Sequence, residues 1–102
     1  MSMTVIVTRD VEDRYRGFLS SVMLEISPGV YTSPRLSKGV RDRIWEVMCE
    51  WHEALGRGSI VMTWKALEAP GGQGLAHLGE PPRQLVEVDG MVIVKRGNRP
   101  QA

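Results

Sequence analysis

Apolar positions along the chain alternate between two periods. Residues 3–8, Met-Thr-Val-Ile-Val-Thr, form a compact β-branched run. Apolar side chains on both faces predict a central strand. The carboxylates of residues 10–13 then suit a helix N-terminus, where unpaired N–H groups favour negative charge. Tyr15, Phe18, Leu19, Val22, Met23 and Ile26 follow on one helical face. Ser27-Pro28-Gly29 breaks that helix, and Val30-Tyr31-Thr32 reads as a short strand.

Ser33-Pro34 is suited to open a second helix, with proline in its first turn. Leu36, Val40, Ile44, Val47, Met48, Trp51 and Leu55 supply its long apolar stripe, and Gly56 and Gly58 end it. Residues 59–64, Ser-Ile-Val-Met-Thr-Trp, predict another strand, and a shorter one is expected around 74–78 between two Gly/Pro-rich loops. Two β-like runs, 85–88 and 91–94, flank Asp89-Gly90, a strong hairpin signal. The expected architecture is α+β: a ferredoxin-like βαββαβ sheet with two helices on one face and an extra C-terminal β hairpin. Residues 1–94 read as one domain and 95–102 as a basic, frayed tail.

Composition narrows the class. The chain has 102 residues, 42% of them hydrophobic and 25% charged, and a formal net charge of +1. Those values fit one soluble domain and exclude a histone-like basic protein. A local basic patch is compatible with them, because clustering matters more than the sum. Cys49 is the one cysteine, so an internal disulfide and a multi-cysteine zinc site are excluded. A single thiol, an N-terminus without the pattern of a signal peptide, and the absence of an apolar run near the roughly 20 residues of a membrane helix set the expectation of a cytoplasmic protein with no membrane partner.

Candidate chemistry is sparse. Gly71-Gly72-Gln73-Gly74 lacks the strand-then-helix context of a phosphate cradle and reads as a loop. His52, His77 and Cys49 do not share a metal-ligand spacing and read as structural. Asp10, Glu12 and Asp13 either cap the first helix or hold a hard cation such as Mg²⁺, which takes one or two carboxylates plus water. Basic residues gather at both helix starts: Arg9, Arg14 and Arg16 at the first, and Arg35, Lys38, Arg41 and Arg43 at the second. Such clusters are either solvated helix faces or phosphate-binding surfaces, for which the arginine fork is suited.

Several blocks, read together, carry a resemblance. They are residues 1–8, Arg14-Tyr15-Arg16-Gly17, the stretch from Leu24-Glu25-Ile26 through Gly29-Val30-Tyr31, Arg41-Asp42-Arg43-Ile44-Trp45, Val61-Met62-Thr63-Trp64 and Val88-Asp89-Gly90-Met91. In this order the chain resembles the CRISPR-associated Cas two family, in the subgroup found with type I-E systems. The resemblance spans roughly residues 1–94 and is weakest over 68–83.

The resemblance implies a ferredoxin-like homodimer acting in the adaptation stage of CRISPR antiviral defence. Such a dimer sits between two dimers of the integrase Cas one and holds double-stranded protospacer DNA for insertion as a new spacer. It implies nucleic-acid contacts by Arg14 and Arg16, and by Arg83 before the last hairpin, with Pro82 standing where the family has a basic residue. Lys38 and Arg41 join them as candidate nucleic-acid contacts from the second basic cluster. The hairpin, through Leu85, Val86, Val88, Met91, Val92, Ile93 and Val94, is the implied docking segment for the integrase. The family is also described as a metal-dependent endoribonuclease or endonuclease, acting on single-stranded RNA or on DNA. Its acidic position after the first strand is occupied here by Arg9, which leaves Asp10 as the candidate catalytic and metal residue, with one Asp10 from each subunit sharing Mg²⁺.

Overall fold

A computed structural model describes residues 2–79, together with two strands at 85–88 and 91–94. Strand β1 (Ser2–Arg9) leads to helix α1 (Asp13–Val22), strands β2 (Leu24–Ser27) and β3 (Val30–Leu36), helix α2 (Lys38–Leu55), then β4 (Ser59–Lys65). A 3₁₀ turn at Pro70–Gly72 precedes β5 (Gln73–Leu78), and β6 (Leu85–Val88) and β7 (Met91–Val94) form a separate antiparallel hairpin. The main sheet runs β2-β3-β1-β4-β5, with every neighbouring pair antiparallel. This is a ferredoxin-like fold with added strands, and β1 is central as its two-faced apolar pattern predicts. The tail from residue 95 and Arg83 lie outside the described residues.

Alternation divides the sheet into two faces. Thr4 and Ile6 of β1, Tyr31 of β3, and Ile60 and Met62 of β4 are buried. The apolar members of this set pack with Tyr15 and Leu19 of α1 and Ile44 and Met48 of α2 in one core. Each fully buried aliphatic side chain contributes about 1.5–3 kcal/mol. Trp51 joins the two helices, with edge-on contacts to Tyr15 at 5.4 Å and to Phe18 at 5.5 Å between ring centroids.

Three sequence expectations are corrected. The first helix stops at Val22 rather than running to Ile26, and Leu24 and Ile26 enter β2. Leu24 then pairs with Thr32, and the Gly29 N–H donates to the Glu25 carboxylate at 3.0 Å, closing the β2–β3 turn. Over such a short stretch, helical and strand spacings overlap, and pairing with β3 decides. The second correction concerns Ser33-Pro34, which lies within β3 and opens no helix. The proline is tolerated because β2 pairs no further than Thr32 and the β1–β3 register shifts between Ser2 and Thr4. Ser37 caps α2 instead, its Oγ accepting from the Val40 N–H at 3.2 Å. At the other end Gly56, at φ 64°, closes the helix as expected, with its N–H bonded to the His52 carbonyl.

The third correction is a rotation of the α2 stripe. Arg41, Ile44 and Met48 are its buried residues. Val40 is 47% and Leu55 38% exposed, while Leu36 is buried from β3.

Among the described residues, the opposite face of the sheet carries no helix. Register aligns Leu24, Thr32, Val5, Thr63 and Leu75 across all five strands. Met3 and Val7 flank this row on β1, and Leu24 is 67%, Met3 54% and Val7 43% exposed. A half-open apolar sheet face of this breadth is the kind of surface that marks an interaction site.

Candidate functional site

The acidic corner forms where β1 ends. Asp10 has left the strand and adopts φ 57°, a left-handed conformation that aspartate tolerates better than most residues. Gly58, at φ 82°, backs directly onto the Asp10 and Arg9 carbonyls, where any Cβ would collide. The expected cap is absent: Glu12 occupies the N-cap position of α1 without a side-chain cap bond, and Asp13 alone places charge in the first turn. The Asp10 carboxylate instead accepts from the Arg57 Nη2 at 3.1 Å. Glu12 Oε2 lies 3.7 Å from the same guanidinium.

Within one copy of the chain, this corner does not assemble an oxygen shell for a divalent cation. Arg57 pairs with both carboxylates, and Glu12 Oε1 is an enclosed oxygen without a hydrogen-bond partner among the described residues. One enclosed acceptor beside a guanidinium is not the oxygen shell a hard cation requires. Among the described residues, no three His, Cys, Asp or Glu side chains gather as metal ligands. Arg57 was not singled out by sequence reasoning; its only signal is its place between Gly56 and Gly58.

The α1 arginines stand at the same end of the sheet. Arg14 lies over the Trp51 ring, 5.0 Å from its centroid. Arg16 reaches Glu25 at 3.5 Å, and its side chain remains 55% exposed. The Gly29 N–H, and after it the Arg16 charge, hold the Glu25 carboxyl below the usual glutamate range despite partial desolvation. Both guanidiniums are thus braced from below while their outer edges stay open, a useful geometry for contacting a polyanion.

The second basic cluster lies at the other end of the sheet. Leu36, which leads into α2, pairs with Ser2, whereas α1 follows Arg9. Lys38 is exposed and pairs with Asp42 at 2.8 Å, the main reason the Asp42 carboxyl is lowered. Arg41 is only 8% exposed and stacks on Trp64, 4.5 Å from its ring centroid. The fold therefore keeps the two clusters apart, and it places Arg41 inside rather than on the helix surface.

The remaining candidates are structural or remote. His52 Nε2 donates to the Gly58 carbonyl at 3.1 Å. Burial, assisted by Glu50 and Glu53, pushes the Cys49 thiol up, which keeps it protonated at neutral pH. The implied docking residues Leu85, Val86, Val88, Met91, Val92, Ile93 and Val94 occupy β6 and β7, which pair with each other outside the five-stranded sheet. No helix among the described residues is long and apolar enough to cross a membrane.

Comparison with known families gives one result. The model of the family described as CRISPR-associated protein (Cas_Cas2CT1978) matches residues 3–93. That span runs from β1 through the hairpin and takes in both basic clusters. The match, on an antiparallel ferredoxin-like sheet, places this chain in the Cas two-type family of CRISPR-associated proteins.

Proposed function

We propose that this protein is of the type I-E subgroup and acts in the adaptation stage of CRISPR defence as a non-catalytic homodimeric scaffold. Two copies associate through the open sheet face, and the pair bridges two dimers of the integrase Cas one. Protospacer DNA lies along the exposed arginines, and the C-terminal hairpin docks the integrase. The apolar row Leu24–Val5–Leu75 with Met3 and Val7 carries this reading. Burying it against a second copy removes exposed apolar surface and doubles the number of basic clusters around one axis. Arg14 and Arg16 are the outer contacts to the duplex, and Arg83 is a further one.

The acidic corner favours the scaffold over a Mg²⁺-dependent endonuclease acting on RNA or DNA, because Arg57 already engages Asp10 and Glu12. The test is reconstitution with the integrase and a protospacer duplex. The scaffold predicts that Asp10→Ala supports spacer integration at the wild-type level. It also predicts that Val7→Asp, which sets a charge on the open face, yields monomers in sedimentation and abolishes integration. Loss of integration in Asp10→Ala with an intact dimer refutes the non-catalytic reading. Full integration by a monomeric Val7→Asp refutes the dimer.

A further inference from the structure

Beside the first turn of α2 is an open cleft of about 430 Å³. Lys38, Arg41, Trp64, Lys65, Leu67 and Glu68 are among its lining residues. Arg41 is the unusual member. It is more than nine-tenths buried, yet no carboxylate among the described residues pairs with it, and its Nε has no hydrogen-bond partner. Asp42, the adjacent acid, is bound to Lys38 instead. The guanidinium lies over the face of Trp64, its charge acts on Asp42 without an ion pair to it, and its Nε is left without a partner where Arg41 lines the cleft.

The surroundings define what fits. Lys38, Arg41 and Lys65 against Glu68 leave two positive charges on the lining. A carboxylate ligand carries one negative charge, whereas a terminal phosphate carries up to about two at neutral pH. The planar guanidinium matches two phosphate oxygens, and its contact with Trp64 holds its plane in place. Leu67, 85% exposed on the same cleft, offers apolar surface to whatever bears the phosphate.

We propose that this cleft binds the phosphate group of a single nucleotide. Arg41 engages two phosphate oxygens, Lys38 and Lys65 supply the remaining charge, and Leu67 packs against the nucleoside. The inference rests only on reading Lys38 and Arg41 as nucleic-acid-binding residues, and makes their ligand one phosphate in a cleft rather than a duplex backbone. It does not depend on the open sheet face or on the α1 arginines. The nucleotide is either free or the 5′ end of a strand.

The test follows the Arg41 Nε–H signal by NMR in the full-length protein, with inorganic phosphate, adenosine 5′-monophosphate, adenosine, acetate, and a short single strand with or without a 5′-phosphate. Saturable shifts are expected with phosphate and with the monophosphate, the latter at lower concentration, and none with adenosine or acetate. A stronger response to the phosphorylated strand than to the monophosphate assigns the site to strand ends, and the reverse order assigns it to free nucleotides; either order supports the phosphate site. Lys65→Ala, at an exposed strand end, is expected to weaken monophosphate binding several-fold without disturbing the sheet resonances. Arg41→Lys, followed through the Trp64 indole signal, is expected to weaken it by about tenfold or more. Silence toward every phosphate compound overturns the proposal. So does an equal response to adenosine or acetate, or unchanged affinity in both variants. A failed integrase reconstitution alongside a positive titration sinks the adaptation scaffold and leaves this site standing.

Discussion

Asp10 and Arg57, 47 residues apart in sequence, meet in an ion pair of 3.1 Å at the end of the central strand. The pair ties the β1–α1 turn to the loop that follows α2. Because the Asp10 side chain is 69% exposed, the pair contributes under about 1 kcal/mol. The backbone matters as much: at φ 57°, a residue with a Cβ and no local polar bond is strained. Asp10→Gly is therefore expected to be more stable than Asp10→Ala by about 1 kcal/mol in urea titrations. Equal stability of the two variants counts against left-handed strain at this position.

Gly74 stands under the indole of Trp64, where an added Cβ would collide with the ring. Gly74→Ala is expected to cost about 1–3 kcal/mol, in the range of an overpacked core, and to dislodge Arg41 from its stack. Combining it with Trp64→Leu should restore part of the loss, and a double-mutant cycle measures the coupling. Strict additivity of the two changes would show that the ring and the glycine do not compete for space.

Glu25 links stability to pH. Its folded-state value is depressed, chiefly by the Gly29 N–H, so its contribution is present above the ordinary glutamate value and is lost as pH falls through the lower folded value. Hydrogen exchange at the Gly29 amide is expected to accelerate, after correction for intrinsic rates, as acid protonates Glu25. Glu25→Gln should remove that dependence. A wild-type profile as flat as that of the variant argues that the Gly29–Glu25 bond does not hold the β2–β3 turn.

Arg14 and Arg16 present their open edges at one end of the sheet. Replacing both with alanine is expected to weaken duplex binding and to lower the salt slope by about one per lost phosphate contact per subunit. Arg16→Ala also frees Glu25, so binding is compared in variants with matched thermal stability. An unchanged slope removes these arginines from the nucleic-acid surface.

Local signals carried most of the element order. The β-branched runs at β1 and β4, the Gly56 stop, the short β5 and the pairing of β6 with β7 each rest on neighbours close in the chain, and each appears in the fold. Resemblance across ordered blocks also led to the family, which the match over residues 3–93 supports. Errors arose where one spacing serves two structures. Val22, Met23 and Ile26 fit a helix as well as a turn into β2, and proline fits a helix start as well as a strand beyond the reach of its neighbour.

Sequence alone determined where the backbone changes period, which termini stop with glycine, and that arginines gather at both helix starts. Tertiary structure decided what those arginines can touch. The crossovers of the ferredoxin-like sheet send the two helix starts to opposite ends, because α1 leaves the end of β1 while α2 begins beside its start. The same packing rotates Arg41 inward onto Trp64 and brings Arg57 to Asp10. Charge and spacing along a chain do not encode such pairings. They arise when distant strands register and fix which side chains share a face.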